Sequence, residues 1–160
     1  MTFRRGTPTG KSIKIGNIET YEAVPTGKTI HKDTAIIFLP DVIGIWANSQ
    51  LMADQYAANG YYTIIPDLFN GDALALNRPA DFDLMAWLTK GSDGKNPHTF
   101  EAIDPIVAKA IAYLQENGYK KIGAVGYCFV SAGKFTRRGM LMNDTGWQVR
   151  CQVYVKGQGY

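Results

Sequence analysis

Lys121-Ile-Gly-Ala-Val-Gly-Tyr-Cys-Phe129 puts one of the chain's two cysteines just past a glycine that closes a short apolar run. A glycine, any residue, then a nucleophile at a strand's end is the front half of a nucleophile elbow, a sharp turn that lifts the side chain above the sheet. A helix following the turn would aim free N–H groups and its positive dipole end at the sulfur. That setting lowers a thiol's pKa and makes the thiolate accessible at neutral pH. Cys128 is therefore the candidate nucleophile. The half-motif alone leaves a second reading open with equal weight, a small buried cysteine at a strand end.

The elements around it read as strand and helix in alternation. Lys11 to Val24 predicts one or two strands broken near Gly16-Asn17, a hairpin turn. Pro25 to Asp33 is a polar loop, and Thr34-Ala-Ile-Ile-Phe-Leu-Pro40 is a continuous apolar run that suits a central parallel strand. Asp41-Val-Ile-Gly44 follows as a loop. Asn48 can cap a helix through Asn59, with Gly60 as its C′ residue. Tyr61 to Ile65 is the next strand. The irregular stretch 68–98 is long enough to be a lid or binding loop, with one short helix over Asp81 to Lys90 carrying Trp87. Asp104-Pro105 reads as a helix start, and Ile103, Ile106, Val107, Ala110, Ile111 and Leu114 form one apolar stripe. That order predicts a parallel sheet with helices on its faces, and a nucleophile where open α/β sheets place their sites.

Composition bounds the function classes. A chain of 160 residues, 46% hydrophobic and 19% charged, suits one soluble domain with a sizeable core. No apolar run is long enough to span a bilayer, and the N-terminus lacks the h-region of a secretory signal. Two cysteines without metal-ligand spacing argue against a disulfide framework and a zinc site, so no cofactor is expected, and a cytoplasmic location follows as the default. The net charge of +3 conceals a break: residues 1–129 carry 12 Lys+Arg against 13 Asp+Glu, while Lys134, Arg137, Arg138, Arg150 and Lys156 face only Asp144 in the last 31 residues. The high pI is thus no argument for nucleic acid as a partner.

Three segments carry a family resemblance. Leu39-Pro-Asp-Val-Ile-Gly44, Asn59-Gly-Tyr-Tyr-Thr-Ile-Ile-Pro-Asp-Leu-Phe-Asn-Gly71 and Lys121 to Phe129 together resemble the dienelactone hydrolase family, especially its fungal members. Thr7-Pro-Thr-Gly10 and the Lys14 to Tyr21 hairpin are similar to the family's N-terminal portion, so the likeness covers roughly residues 6–129. It implies an α/β-hydrolase fold, here its N-terminal portion only, and a Cys-Asp-His triad that hydrolyses enol-lactones or related small esters, as a carboxymethylenebutenolidase does. Carried over by position, Cys128 matches the nucleophile, and the backbone N–H groups of Phe129 and Val42 match the two halves of an oxyanion hole. Asp41 sits where bacterial relatives carry an acidic residue near the cysteine. Its competing reading, a turn or capping aspartate, weighs slightly more, and Asp67 reads clearly as structural.

The family pattern stops after the elbow. Val130-Ser131 stand where the resemblance calls for Gly-Gly or Gly-Ala, and a β-branched residue there invites a clash. The family's acid and histidine come later in the chain, yet the 32 residues after Cys128 hold Asp144 and no histidine. We therefore expect residues 1–129 to be an incomplete dienelactone-hydrolase-like domain and residues 130–160 a divergent tail. Val-Ser is what a common intron donor encodes in frame, so the tail reads as translated intron. Of the two histidines, His31 precedes the first core strand, at the wrong end of the sheet; His98 is the better-placed substitute base, although a solvated loop histidine is the stronger reading. The competing functions are a non-catalytic fragment or binding module and, faintly, a nucleotide-binding domain, for which no Gly-x-Gly-x-x-Gly or P-loop is present. Oligomeric state has no signal in the sequence.

Overall fold

The computed structural model describes residues 5–26 and 28–126. Cys128, Phe129 and the whole of 130–160 lie outside the described residues.

A hairpin opens the chain: β1 (Lys11–Ile15) pairs antiparallel with β2 (Ile18–Ala23) across the two-residue Gly16-Asn17 turn. After the polar loop come β3 (Thr34–Leu39), α1 (Ala47–Ala58), β4 (Tyr62–Pro66), α2 (Leu84–Lys90), α3 (Phe100–Glu116) and β5 (Lys121–Gly126). The sheet order is β1-β2-β4-β3-β5, with β3 parallel to both β4 and β5 and β2 antiparallel to β1 and β4. Four strands thus point one way and β2 the other, a mixed sheet with helices on its two faces.

Alternation along β3 sorts the core. Ile37 and Leu39 face the layer that holds Ile64 and the α3 stripe Ile103, Ile106, Val107, Ala110 and Leu114. Phe38 faces the other way, against Tyr21, Ile65 and the α1 residues Ala53 and Ala57. A strand covered on both faces reads as a continuous apolar run, which is why Thr34 to Leu39 shows no polar alternation. One polar cluster sits inside the α3 layer. The Tyr62 hydroxyl donates to Glu22 Oε1, and Lys11 Nζ stands 3.1 Å from Glu22 Oε2, so the buried carboxylate has an ionic partner. Burial, then the Glu22 contact, drives the Tyr62 phenol far above its ordinary range.

Two helix starts differ from the sequence expectation. α1 begins one residue before Asn48, because Ser49 Oγ accepts the Trp46 N–H (3.0 Å) and donates to the Gly44 carbonyl (3.0 Å), closing the first turn from inside the helix. Its other end is as expected: Gly60 adopts φ +92°, and its N–H donates to Ala57 O at 2.9 Å. α3 begins at Phe100, with Thr99 as the flanking residue, and Pro105 is inside it. Thr99 O accepts from Ala102 N and Ile103 N, both at 3.0 Å, so the chain is already helical a full turn before Asp104. Burial of Ile103 (2% exposed) holds that early turn, and packing overrides the Asp-Pro start signal. Among the described residues, no helix is long and apolar enough to cross a membrane.

Candidate active site

The register between β3 and β5 sets the geometry. Thr34 pairs with Lys121 and the ladder runs in step to Leu39 opposite Gly126, so both strands end together. The chain therefore leaves both strands at the same edge of the sheet, about 4.8 Å apart. After β3 comes the Asp41 to Gly44 loop. After Gly126 the sequence continues with Tyr127, Cys128 and Phe129, which lie outside the described residues.

Three hydrogen bonds hold the Asp41–Gly44 loop. Asp41 Oδ1 accepts the Ile43 N–H at 2.9 Å, and the Asp41 carbonyl accepts the Gly44 N–H at 2.9 Å. Leu74 N–H, from the 68–98 excursion, donates to the Val42 carbonyl at 2.7 Å. The Val42 N–H shares a planar trans peptide with the Asp41 carbonyl and therefore points opposite to it, away from Gly44. Among the described residues no acceptor takes that N–H. Gly44 closes the loop at φ +74°, and a Cβ there would stand 2.8 Å from the Ala73 Cβ. Both the backbone conformation and the close approach require glycine.

Asp41 is the turn aspartate of this loop. Burial pushes its carboxyl above the ordinary range, while the Ile43 N–H and the charge of Arg78 pull it down. Sequence reading missed Arg78, whose guanidinium also donates to Ala75 O at 3.2 Å. Asp67 behaves in the same way, accepting the Phe69 N–H at 2.9 Å and the Gly71 N–H.

The histidines are far apart in role. His31 lies at the starting end of the strands: its N–H donates to Gly60 O at 3.0 Å, its carbonyl takes the Thr34 N–H, and its ring stacks on Tyr61 at 4.2 Å. The length of β3, about 17 Å, separates it from Leu39. His98 corrects the expectation of a solvated loop histidine. Its side chain is 0% exposed and its Nε2 lies 2.8 Å from Asp72 Oδ2. Phe69 meets the ring edge-on at 5.3 Å and Trp87 packs against it at 4.3 Å. Burial alone would raise the Asp72 carboxyl, but bonds from Ser92 and His98 outweigh it and hold the group below the ordinary range. Twenty-six residues separate Asp72 from His98, so no local pattern announces the pair. Among the described residues no cluster of three or more His, Cys, Asp or Glu side chains could hold a metal ion.

Comparisons with known proteins converge on one family. The sequence profile of the dienelactone hydrolase family matches residues 18–137. Hydrolase tropI of Talaromyces stipitatus is 39% identical over 140 residues, covering 85% of this chain and 53% of its own. Dienlactone hydrolase 1 of Gibberella moniliformis is 39% identical over 133 residues, covering 79% of this chain and 49% of its own. The chain thus spans about half the length of the curated relatives it matches. The crystal structure of a candidate dienelactone hydrolase from Klebsiella pneumoniae superposes with a TM-score of 0.55 at 16% identity, over 76% of this chain and 50% of that one. That likeness shows the fold: the sheet and its flanking helices are the N-terminal portion of an α/β-hydrolase fold. The family profile spans most of the chain and so settles the assignment: the chain belongs to the dienelactone hydrolase family.

Proposed function

We propose that the protein cleaves small carboxylic esters or enol-lactones through Cys128, with the backbone N–H groups of Val42 and Phe129 receiving the oxyanion. One observation carries the reading: Leu39 and Gly126 end their strands side by side, three residues before Val42 and two before Cys128. Chain length then keeps the Cys128 Cα within about 7.6 Å of the Gly126 Cα. The unclaimed Val42 N–H at the same edge is the kind of donor that an oxyanion hole needs. In this reading Asp41 holds the loop and is not the group that takes the thiol proton.

The Cys128 thiolate adds to the carbonyl carbon, and the carbonyl π pair moves onto oxygen, where the two N–H groups receive it. Collapse breaks the C–O bond and expels the alkoxide or enolate, which takes a proton from water. In a lactone the leaving oxygen stays tethered to the acyl group. Water then cleaves the thioester, giving the carboxylic acid and the free thiol. That second half requires a base. His31 is at the other end of the sheet and His98 is sealed beside Asp72, so neither supplies it. Deacylation is accordingly the slow half in this chain. No cofactor or metal enters the proposal.

Excess p-nitrophenyl acetate and a Cys128→Ala control test it. The expected result is a burst of one equivalent of p-nitrophenolate, followed by slow release, with both abolished by the substitution. The placement of both histidines favours a second reading, a binding module with no turnover. A wild-type protein that gives no burst supports that reading, and a burst that survives Cys128→Ala overturns the first.

A further inference from the structure

His98 and Asp72 reach the candidate oxyanion loop through two residues of backbone. Asp72 is held from three sides: His98 Nε2 at 2.8 Å and the Ser92 N–H at 2.8 Å meet Oδ2, and Trp87 Nε1 donates to the Asp72 carbonyl at 3.1 Å. The next residue, Ala73, abuts Gly44, and the one after it, Leu74, donates to the Val42 carbonyl. Residues 72–74 are therefore a bridge, fixed to the His98, Ser92 and Trp87 contacts at one end and to the Asp41–Gly44 loop at the other. The Asp72 carboxylate only accepts, which assigns the shared proton to His98 Nε2. His98 Nδ1 is buried and has no partner among the described residues, so the ring makes one side-chain hydrogen bond, the one to Asp72.

We propose that the His98–Asp72 pair is a positioning clamp: through residues 72–74 it sets the direction of the Val42 N–H, with His98 acting as a donor to Asp72 and never as a base. This rests on the reading of Val42 as an oxyanion donor. Ring burial between Phe69 and Trp87 supports the role, because a sealed imidazole cannot exchange a proton with substrate but can fix a neighbouring carboxylate. A donor displaced by about 1 Å loses up to about a hundredfold in rate, so a clamp two residues away has kinetic consequences.

The test compares the 160-residue wild-type chain with His98→Gln, whose amide nitrogen replaces Nε2, and with His98→Leu, which fills the space without a donor. Two readouts are followed: amide hydrogen exchange by NMR and the p-nitrophenyl acetate burst rate against ester concentration. In His98→Leu the Leu74 amide should exchange at least about tenfold faster while Ala110 and Leu114 in α3 keep their protection. Its limiting acylation rate should fall about ten- to a hundredfold with half-saturation little changed, and His98→Gln should recover both readouts. Unchanged Leu74 exchange in His98→Leu overturns the clamp, as does a His98→Gln protein as slow as His98→Leu. If α3 also loses protection in His98→Leu, Asp72→Asn, which keeps the volume and removes the carboxylate, is judged by the same criteria. A wild type that never acylates sinks the hydrolase reading instead, and Leu74 exchange alone then decides the clamp.

Discussion

Leu39 and Gly126 are register partners at the last rung of the β3–β5 ladder. Parallel neighbours that end together release their loops at one edge, and the first loop is held by Asp41, Leu74 and Gly44. The sheet thereby brings Asp41 and Val42 to the edge where β5 ends, two residues before Cys128 in the sequence.

Asp41 separates a loop-holding role from acid–base chemistry. Asparagine keeps an oxygen that can accept the Ile43 N–H, so Asp41→Asn should acylate within about threefold of wild type. Alanine removes the acceptor and should slow acylation about tenfold or more and lower stability by about 1 kcal/mol. The burst rate measures the first and urea denaturation the second. Equal losses in both variants would return Asp41 to the chemistry.

Tyr21 gives a pH signature. Its hydroxyl donates to Asp54 Oδ1 at 2.7 Å and accepts the Gly10 N–H at 2.7 Å, tying the start of the chain to α1. Burial, reinforced by Asp54, pushes the phenol from 10.0 up to about 12. A raised phenol holds its proton more tightly in the folded state, so its contribution is complete below pH 10 and is lost as pH climbs from there to about 12. Urea denaturation of wild type and Tyr21→Phe should therefore show a stability difference that is constant up to the unfolded phenol's pKa and shrinks above it. A difference that widens with rising pH would contradict the assignment.

Pro105 occupies the sixth position of α3 and has no N–H to give the Glu101 carbonyl. Pro105→Ala restores that bond and should raise stability by about 1 kcal/mol or more, since an interior proline costs about 3 kcal/mol and part of that is offset in the unfolded chain. Thermal unfolding checks it. A lowered midpoint would mean that the fixed proline φ helps to hold the turn around Ile103.

Much of the fold was legible because its signals are local. The apolar run at Thr34 to Leu39, the Gly16-Asn17 turn, the Gly60 helix end and the α3 stripe each announce themselves within a few residues. Asp83 and Trp87 place α2 within the expected stretch, with the Asp83 side chain accepting the Ala86 N–H at 2.9 Å. What escaped was settled by contacts distant in sequence. Ile103 burial moved the start of α3 ahead of Asp104-Pro105, and Asp72 drew His98 into the interior. At the site, the Asp41–Gly44 loop after the Thr34 to Leu39 strand could be read from the sequence. The Leu74 bond to Val42 and the charge of Arg78 on Asp41 could not, because both come from the irregular 68–98 stretch, which has no periodicity to read.

The most direct test asks which sulfur carries the acyl group. The full chain is incubated with excess p-nitrophenyl acetate, quenched in acid, digested and mapped by mass spectrometry for thioester at Cys128 and Cys151. The account predicts acetyl on Cys128, accumulating to near one equivalent, and none on Cys151. Acetyl on Cys151 or on lysines with Cys128 unmodified would contradict it.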